Sequence, residues 1–178
     1  MSEHEGNFNF SACFNKIALL EKRKKEIISL TETLIEGISK CNYELYSQLC
    51  DRNMTCFEPE SNGNLISGLQ FHKFYFDNLW GKLSAKCNTT IVNPVVHLLG
   101  EDSACIAYIR LLQILDKEES PQTMQWEETR IWTRKNNKWQ CVHMHRSKAS
   151  DIKYNINVLD VSTSDFLLLI QTRSLFFF

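Results

Sequence analysis

The sequence lacks any sizeable excess of charge: 20 Lys and Arg stand against 21 Asp and Glu, a formal net charge of −1. A general nucleic-acid binder attracts its partner with a broad basic field, and that field is missing, although a local basic pocket is not excluded. Long apolar runs are also missing. Phe166–Ile170 and Leu175–Phe178 are separated by Gln171–Ser174, which includes Arg173. A membrane span needs roughly 20 mostly apolar residues, so no membrane partner is expected. The seven cysteines are odd in number and form no Cys-x-x-Cys pair. That argues against a disulfide scaffold and a spacing-encoded metal site. Met1 is followed by a polar stretch without a cationic start or apolar core, so the expected setting is cytoplasmic and reducing. The Asn53 and Asn88 sequons are then expected to be coincidental. Catalytic signatures are absent too. There is no glycine-rich phosphate loop, no Gly-x-Ser-x-Gly, and no His-Arg-Asp or Asp-Phe-Gly triplet. No internal repeat or low-complexity linker divides the chain.

What is present is a foldable domain of 178 residues, 43% apolar, with 11 Phe, 5 Tyr and 4 Trp. Such a length buries a substantial single core. From Asn15 to Lys40 apolar residues recur at helical spacing, through Ile27, Leu30, Leu34, Ile35 and Ile38, which predicts one long amphipathic helix. The basic run from Lys22 to Lys25 reads as its solvated side. Asn42 can cap a short second helix ending near Leu49. Met54–Phe57 reads as a strand stopped by Pro59. Gly68 opens a third helix to Trp80, with Phe71, Phe74, Tyr75, Leu79 and Trp80 expected on its buried side.

Beyond Gly81 the pattern changes to β-branched and aromatic runs at 88–99, 103–115, 123–134 and 138–146. Four strands with short breaks predict an antiparallel meander. Helices first and strands later give an α+β domain, with helices on one face of a curved sheet.

Side chains alternate faces along a strand, so parity groups them. Arg110 shares parity with Ile106, Tyr108 and Leu112; Arg130 with Met124, Trp126 and Trp132; Arg146 with Val142 and Met144. Guanidiniums that point inward stay charged and need carboxylates, carbonyls or a bound anion. Two readings follow: structural pairing with Glu127 or Glu128, or a cationic cup gripping a small carboxylate bidentately. His143 and His145 also share a face, nominally that of Trp139 and Cys141, and are expected to pack rather than bind metal. His72 reads as a core histidine or a pocket wall. Glu58 and Glu60 flank Pro59 and read as turn chemistry. No cofactor and no catalytic residue is implied.

Several segments resemble one family. Lys25-Glu26-Ile27-Ile28 and Thr31-Glu32-Thr33-Leu34-Ile35-Glu36 look like the first helix of the association (hub) domain of calcium/calmodulin-dependent protein kinase II. So do Thr55-Cys56-Phe57-Glu58-Pro59-Glu60, Gly63-Asn64-Leu65 and Phe71-His72-Lys73-Phe74-Tyr75-Phe76. Ala104-Cys105-Ile106-Ala107-Tyr108-Ile109-Arg110, Glu127-Glu128-Thr129-Arg130-Ile131-Trp132, Lys138-Trp139-Gln140 and Val142-His143-Met144-His145-Arg146-Ser147 complete the series in order.

The resemblance implies a cone-shaped α+β fold like nuclear transport factor 2, with a curved antiparallel sheet wrapped around a long N-terminal helix. It places that domain at 16–148, between an N-terminal extension at 1–15 and a C-terminal extension at 149–178. It implies a non-catalytic oligomerisation scaffold whose partner is itself, in two stacked rings, usually a dodecamer or tetradecamer, with co-assembly onto kinase II subunits. It further implies a small-carboxylate pocket lined by Arg110, Arg130, Arg146, His72 and Trp80. The alternative is a small-molecule enzyme of the same fold, of isomerase or dehydratase type. Two positions depart from the family pattern: Val95 stands where a histidine is common, and Trp126 where a small polar residue is usual.

Overall fold

The computed structural model describes residues 10–80, 87–115 and 118–148. Helix α1 runs Phe10–Ser39, beginning within the stretch expected to be an N-terminal extension. Its inward stripe is Ile27, Thr31, Leu34 and Ile35, all fully or nearly fully buried. Thr31 is tolerated there because its hydroxyl donates to the Ile27 carbonyl at 2.7 Å. The helix ends where Cys41 enters the left-handed region at φ 55°. The Asn42 amide then bonds back to Gly37 at 2.8 Å and the Cys41 amide to Ile38 at 3.0 Å. This double bond pattern closes the helix with a cysteine where glycine is usual.

Asn42 caps α2 (Tyr43–Leu49), its side-chain oxygen accepting from the Leu45 amide at 3.0 Å. Strand β1 (Cys50–Phe57) follows directly, longer than the four residues the sequence suggested. After a short 3-10 turn at Pro59–Ser61 come β2 (Ile66–Ser67) and α3 (Gln70–Tyr75), which continues as a π-helical turn, Phe76–Trp80. The meander is β3 (Cys87–Leu98), β4 (Ser103–Leu115), β5 (Pro121–Lys135) and β6 (Lys138–Lys148).

The six strands lie in the order β2-β1-β6-β5-β4-β3, with only β1 and β6 parallel. Helix α1 packs along β3 and reaches β4, while α2 packs on β1 and β6. Their buried side chains join one core with Ala104, Ile106, Tyr108, Trp132 and Met144. The α+β expectation of a sheet around a long helix therefore holds. Among the described residues no helix is long and apolar enough to cross a membrane.

Two expectations need correcting. Phe74 was placed on the buried side of α3 but is 62% exposed; the buried residues there are His72 and Phe76. The helix meets the core at its i and i+4 positions, and Phe74 falls on the opposite side. The second correction concerns β6. Ile131 pairs with His143 but Trp132 pairs with Cys141, so Val142 is an extra residue in a β-bulge. The bulge reverses parity: Trp139 and Cys141 face inward before it, Met144 and Arg146 after it. His143 and His145 are thus on the outer face, opposite to Trp139 and Cys141. The C-terminal apolar segments at 166–178 lie outside the described residues.

Candidate functional site

Strands β4 and β5 are adjacent and antiparallel, so their inward rows interleave into one patch. Arg130 lies opposite Met144 on one side and Ile106 on the other, while Glu128 lies opposite Tyr108 and Arg146. Glu128 and Arg130 are two residues apart on one strand and therefore share the inner face. Both are almost completely buried.

Glu128 is the hub of the charges. Arg130 donates to Glu128 Oε2 at 3.0 Å, Tyr108 donates its hydroxyl to the same oxygen, and Arg110 Nη1 stands 3.6 Å from Oε1. Arg130 Nε also bonds the Tyr108 oxygen at 2.8 Å, and Arg110 Nε bonds Thr89 Oγ1 at 3.1 Å. Burial pushes the Glu128 carboxyl up, but the Arg130 and Arg110 charges and the Tyr108 hydrogen bond outweigh it and hold it at about 2. Burial also lowers Arg110, with Glu128 opposing, yet a guanidinium remains charged in a protein.

Arg146 supplies the mouth of the site. Its Nη2 pairs with Glu58 Oε2 at 2.9 Å and also with Glu60, and its guanidinium lies over the Trp126 ring, 5.8 Å from the centroid. Trp126, one of the two departures from the family pattern, thus packs against a pocket arginine. Glu58 reaches its other oxygen toward His72 Nε2 at 3.2 Å. Burial raises Glu58, and the His72 hydrogen bond together with Arg146 brings it below the usual carboxylate value. His72 Nε2 also lies 3.6 Å from Cys56 Sγ. Burial, aided by the Glu58 charge, pushes the Cys56 thiol up to about 12.

The fold therefore brings Arg110, Arg130, Arg146 and His72 together around a cavity of about 20 Å³. That is room for about one water. Three guanidiniums face the two buried carboxylates Glu58 and Glu128, leaving one positive charge balanced by Glu60, which is 40% exposed. His72 Nδ1, Glu128 Oε1 and Arg146 Nε are buried without a hydrogen-bond partner. Trp80 ends the π-helical turn, and its side chain lies outside the described residues. The structural pairing of the arginines is thus fully realised, and polar capacity is left over around the cavity.

Sequence reasoning assigned Glu58 to turn chemistry, and that reading is corrected: it is a buried ion-pair partner of Arg146 and His72. A signal did exist, since Glu58, one residue past β1, continues the inward parity of Met54 and Cys56. Glu128 was named as a structural partner, and its parity with Arg130 marked it. His143 accepts no inward role; its Nδ1 lies 2.7 Å from Thr55 Oγ1 on the outer face.

Comparison with known proteins agrees with this architecture. The calcium/calmodulin dependent protein kinase II association domain family matches residues 23–150. The calcium/calmodulin-dependent protein kinase type II alpha chain of Drosophila melanogaster is 54% identical over 130 residues, covering 73% of this chain but 24% of that protein. The type II subunit delta of Oryctolagus cuniculus is 54% identical over 128 residues, covering 72% and 24%. The chain thus spans about a quarter of the length of these relatives. Among solved structures, the association domain of C. elegans CaMKII superposes with a TM-score of 0.68 at 47% identity, covering 72% of this chain and 97% of that one. The S. rosetta CaMKII hub gives 0.64 at 36% identity, covering 70% and 95%. An NTF2-like superfamily protein from Salmonella enterica, at 19% identity and a TM-score of 0.64, shares the fold alone. The matched region is an association domain and not a kinase domain, and the chain belongs to the calcium/calmodulin dependent protein kinase II association domain family.

Proposed function

We propose that this chain is a self-associating scaffold whose copies assemble into a two-ring dodecamer or tetradecamer and hold linked or co-assembled kinase domains close together. Family membership carries the reading, and the outer face of the sheet supports it. Val92, Val95, Ala107, Ile109, Leu111 and Ile131 form the middle of that face, and no described helix covers them. Val95 is 53% exposed. An apolar sheet face of this kind is ordinarily covered by a partner, and here the partner is a further copy. Tethering several kinase domains to one particle raises their effective concentration toward one another.

Sedimentation and native mass measurement on the full chain test the assembly. A particle of twelve or fourteen chains is expected; monomer or dimer alone at micromolar protein overturns the reading. Mixing with full-length kinase II subunits should give mixed particles.

The same proposal gives the cup formed by Arg110, Arg130, Arg146 and His72 a small carboxylate as ligand, and assigns Trp80 as a further contact of that ligand on the family resemblance alone. Support comes from three guanidiniums on two buried carboxylates. Because the cavity holds about one water, the ligand must displace Glu58 or Glu60 from Arg146 at the mouth. A short-chain carboxylate titrated calorimetrically should bind, and Arg110→Ala should weaken it by about 1.5–3 kcal/mol. Absence of binding to the unmutated protein overturns this part. Enzymatic proton abstraction is disfavoured, since the arginines hold Glu128 ionised at about 2, far from a useful base at neutral pH.

A further inference from the structure

Cys56 near the end of β1 and Glu58 just past it lie two residues apart at inward parity, and α3 lowers His72 onto them. The Cys56 sulfur, one Glu58 oxygen and His72 Nε2 all lie within 4.8 Å of one another, and all three residues are buried. Nε2 is 3.6 Å from the sulfur and 3.2 Å from the carboxylate oxygen. An Nε2–H can donate to Glu58 while the Cys56 sulfur stands beside it as a second, weak contact.

A metal ion at the centre of the three atoms would engage all of them at once. With Zn–S of about 2.3 Å and Zn–N and Zn–O of about 2.05 Å, tetrahedral angles put S···N at about 3.6 Å and N···O at about 3.3 Å. Both separations are already present. Three protein ligands of N, S and O type leave a fourth position open. Glu58 and His72 also wall the cavity of about 20 Å³, which has the volume for a water in that position. Arg146 fixes the remaining Glu58 oxygen, the orienting contact expected behind a metal-ligating carboxylate.

We propose that Cys56, Glu58 and His72 form a three-ligand site for a zinc-class divalent cation, completed by water. On binding, the Cys56 thiol gives its proton to solvent and its sulfur bonds the ion. The thiolate supplies new negative charge at the ion, while Glu58 is shared between the ion and Arg146, so the site gains one net positive charge on binding. A sulfur and an imidazole select zinc or cobalt over magnesium and calcium, which take oxygen ligands. The site does not rest on the carboxylate reading: it requires Cys56, which the arginine cup does not use.

The test titrates the full, metal-free chain with Co²⁺. Expected are tetrahedral cobalt absorption and a near-ultraviolet thiolate-to-cobalt band, both abolished by Zn²⁺. Competition with a chromophoric chelator should give one tight Zn²⁺ per chain. Cys56→Ala should abolish the thiolate band and weaken Zn²⁺ at least tenfold, while His143→Ala on the outer face changes neither. Particle mass and circular dichroism establish that each variant is folded, and Cys56→Ser serves if Cys56→Ala is not. Absence of a thiolate band, or Zn²⁺ binding unchanged in the folded Cys56 variant, overturns the proposal. Carboxylate calorimetry on Cys56→Ala keeps the two readings separate, because carboxylate binding should survive.

Discussion

Tyr108 and Ile109 are neighbours on β4, yet their side chains enter different surroundings. Tyr108 points inward to a network in which each guanidinium meets a carboxylate, hydroxyl or threonine oxygen. Ile109 points outward, between Val92 and Glu127 on the flanking strands, with no helix over it. The inner face joins paired charges to an apolar core, and the outer face carries apolar residues that no described helix covers, beside Glu127, Thr129 and His145. Buried charges persist only when paired, and on the inner face each arginine has a carboxylate partner within the chain. An uncovered apolar face is complete only with a second chain. The comparison separates what holds one subunit together from what joins subunits.

The largest effect should come from breaking the inner face. Glu128→Gln leaves Arg130 and Arg110 without their common counter-charge and should cost about 3–5 kcal/mol in denaturant unfolding. If the loss is small, the inner network is not what distinguishes this face. Acid should probe the same group without mutation. Its carboxyl titrates near 4.5 when unfolded and at about 2 when folded, so folding keeps it ionised. Its stabilising contribution is complete above 4.5 and lost as pH falls from there toward 2. Unfolding followed through that window should show the decline, and Glu128→Gln should flatten it.

Breaking the outer face should act elsewhere. Ile109→Asp should lower particle mass sharply and forfeit about 1.5–3 kcal/mol of apolar burial per interface. The subunit's own unfolding should change less, by about 1 kcal/mol, the cost of an acidic residue on a half-buried strand position opposite Glu127. Equal losses in assembly and subunit stability would collapse the distinction between the faces. The smallest effect belongs to neither face: Asn42→Ala removes the α2 cap and should cost about 1 kcal/mol in the same unfolding measurement.

Much of this was readable from local pattern. The apolar spacing from Ile27 to Ile38 marked the helix that crosses the sheet. Alternation through Ile106, Tyr108, Arg110 and Leu112 grouped Arg110 with apolar residues but left open which face is inward, and the choice between Glu127 and Glu128 as partner came from the register. The rule failed on β6 because one inserted residue, Val142, reverses every side chain before it relative to those after it, and the bulge leaves no mark in composition. It also misjudged Phe74, because a six-residue helix is too short for periodicity to fix its buried side. Glu58 was passed over for a related reason: a carboxylate beside proline carries the chemistry of a turn until its partners on β6 and α3 are known.

The sequence by itself determined the succession of helices and strands, the family, and which side chains share parity with Arg110 and Arg130. These follow from period, turn residues and short runs of local wording. Only the tertiary structure decided that Glu128 is shared by two arginines, that Arg146 is held by Glu58 and Glu60, and that Cys56, Glu58 and His72 converge. Those facts depend on register between β1, β5 and β6 and on the docking of α3. They are distances across the chain rather than along it, and no local period encodes them.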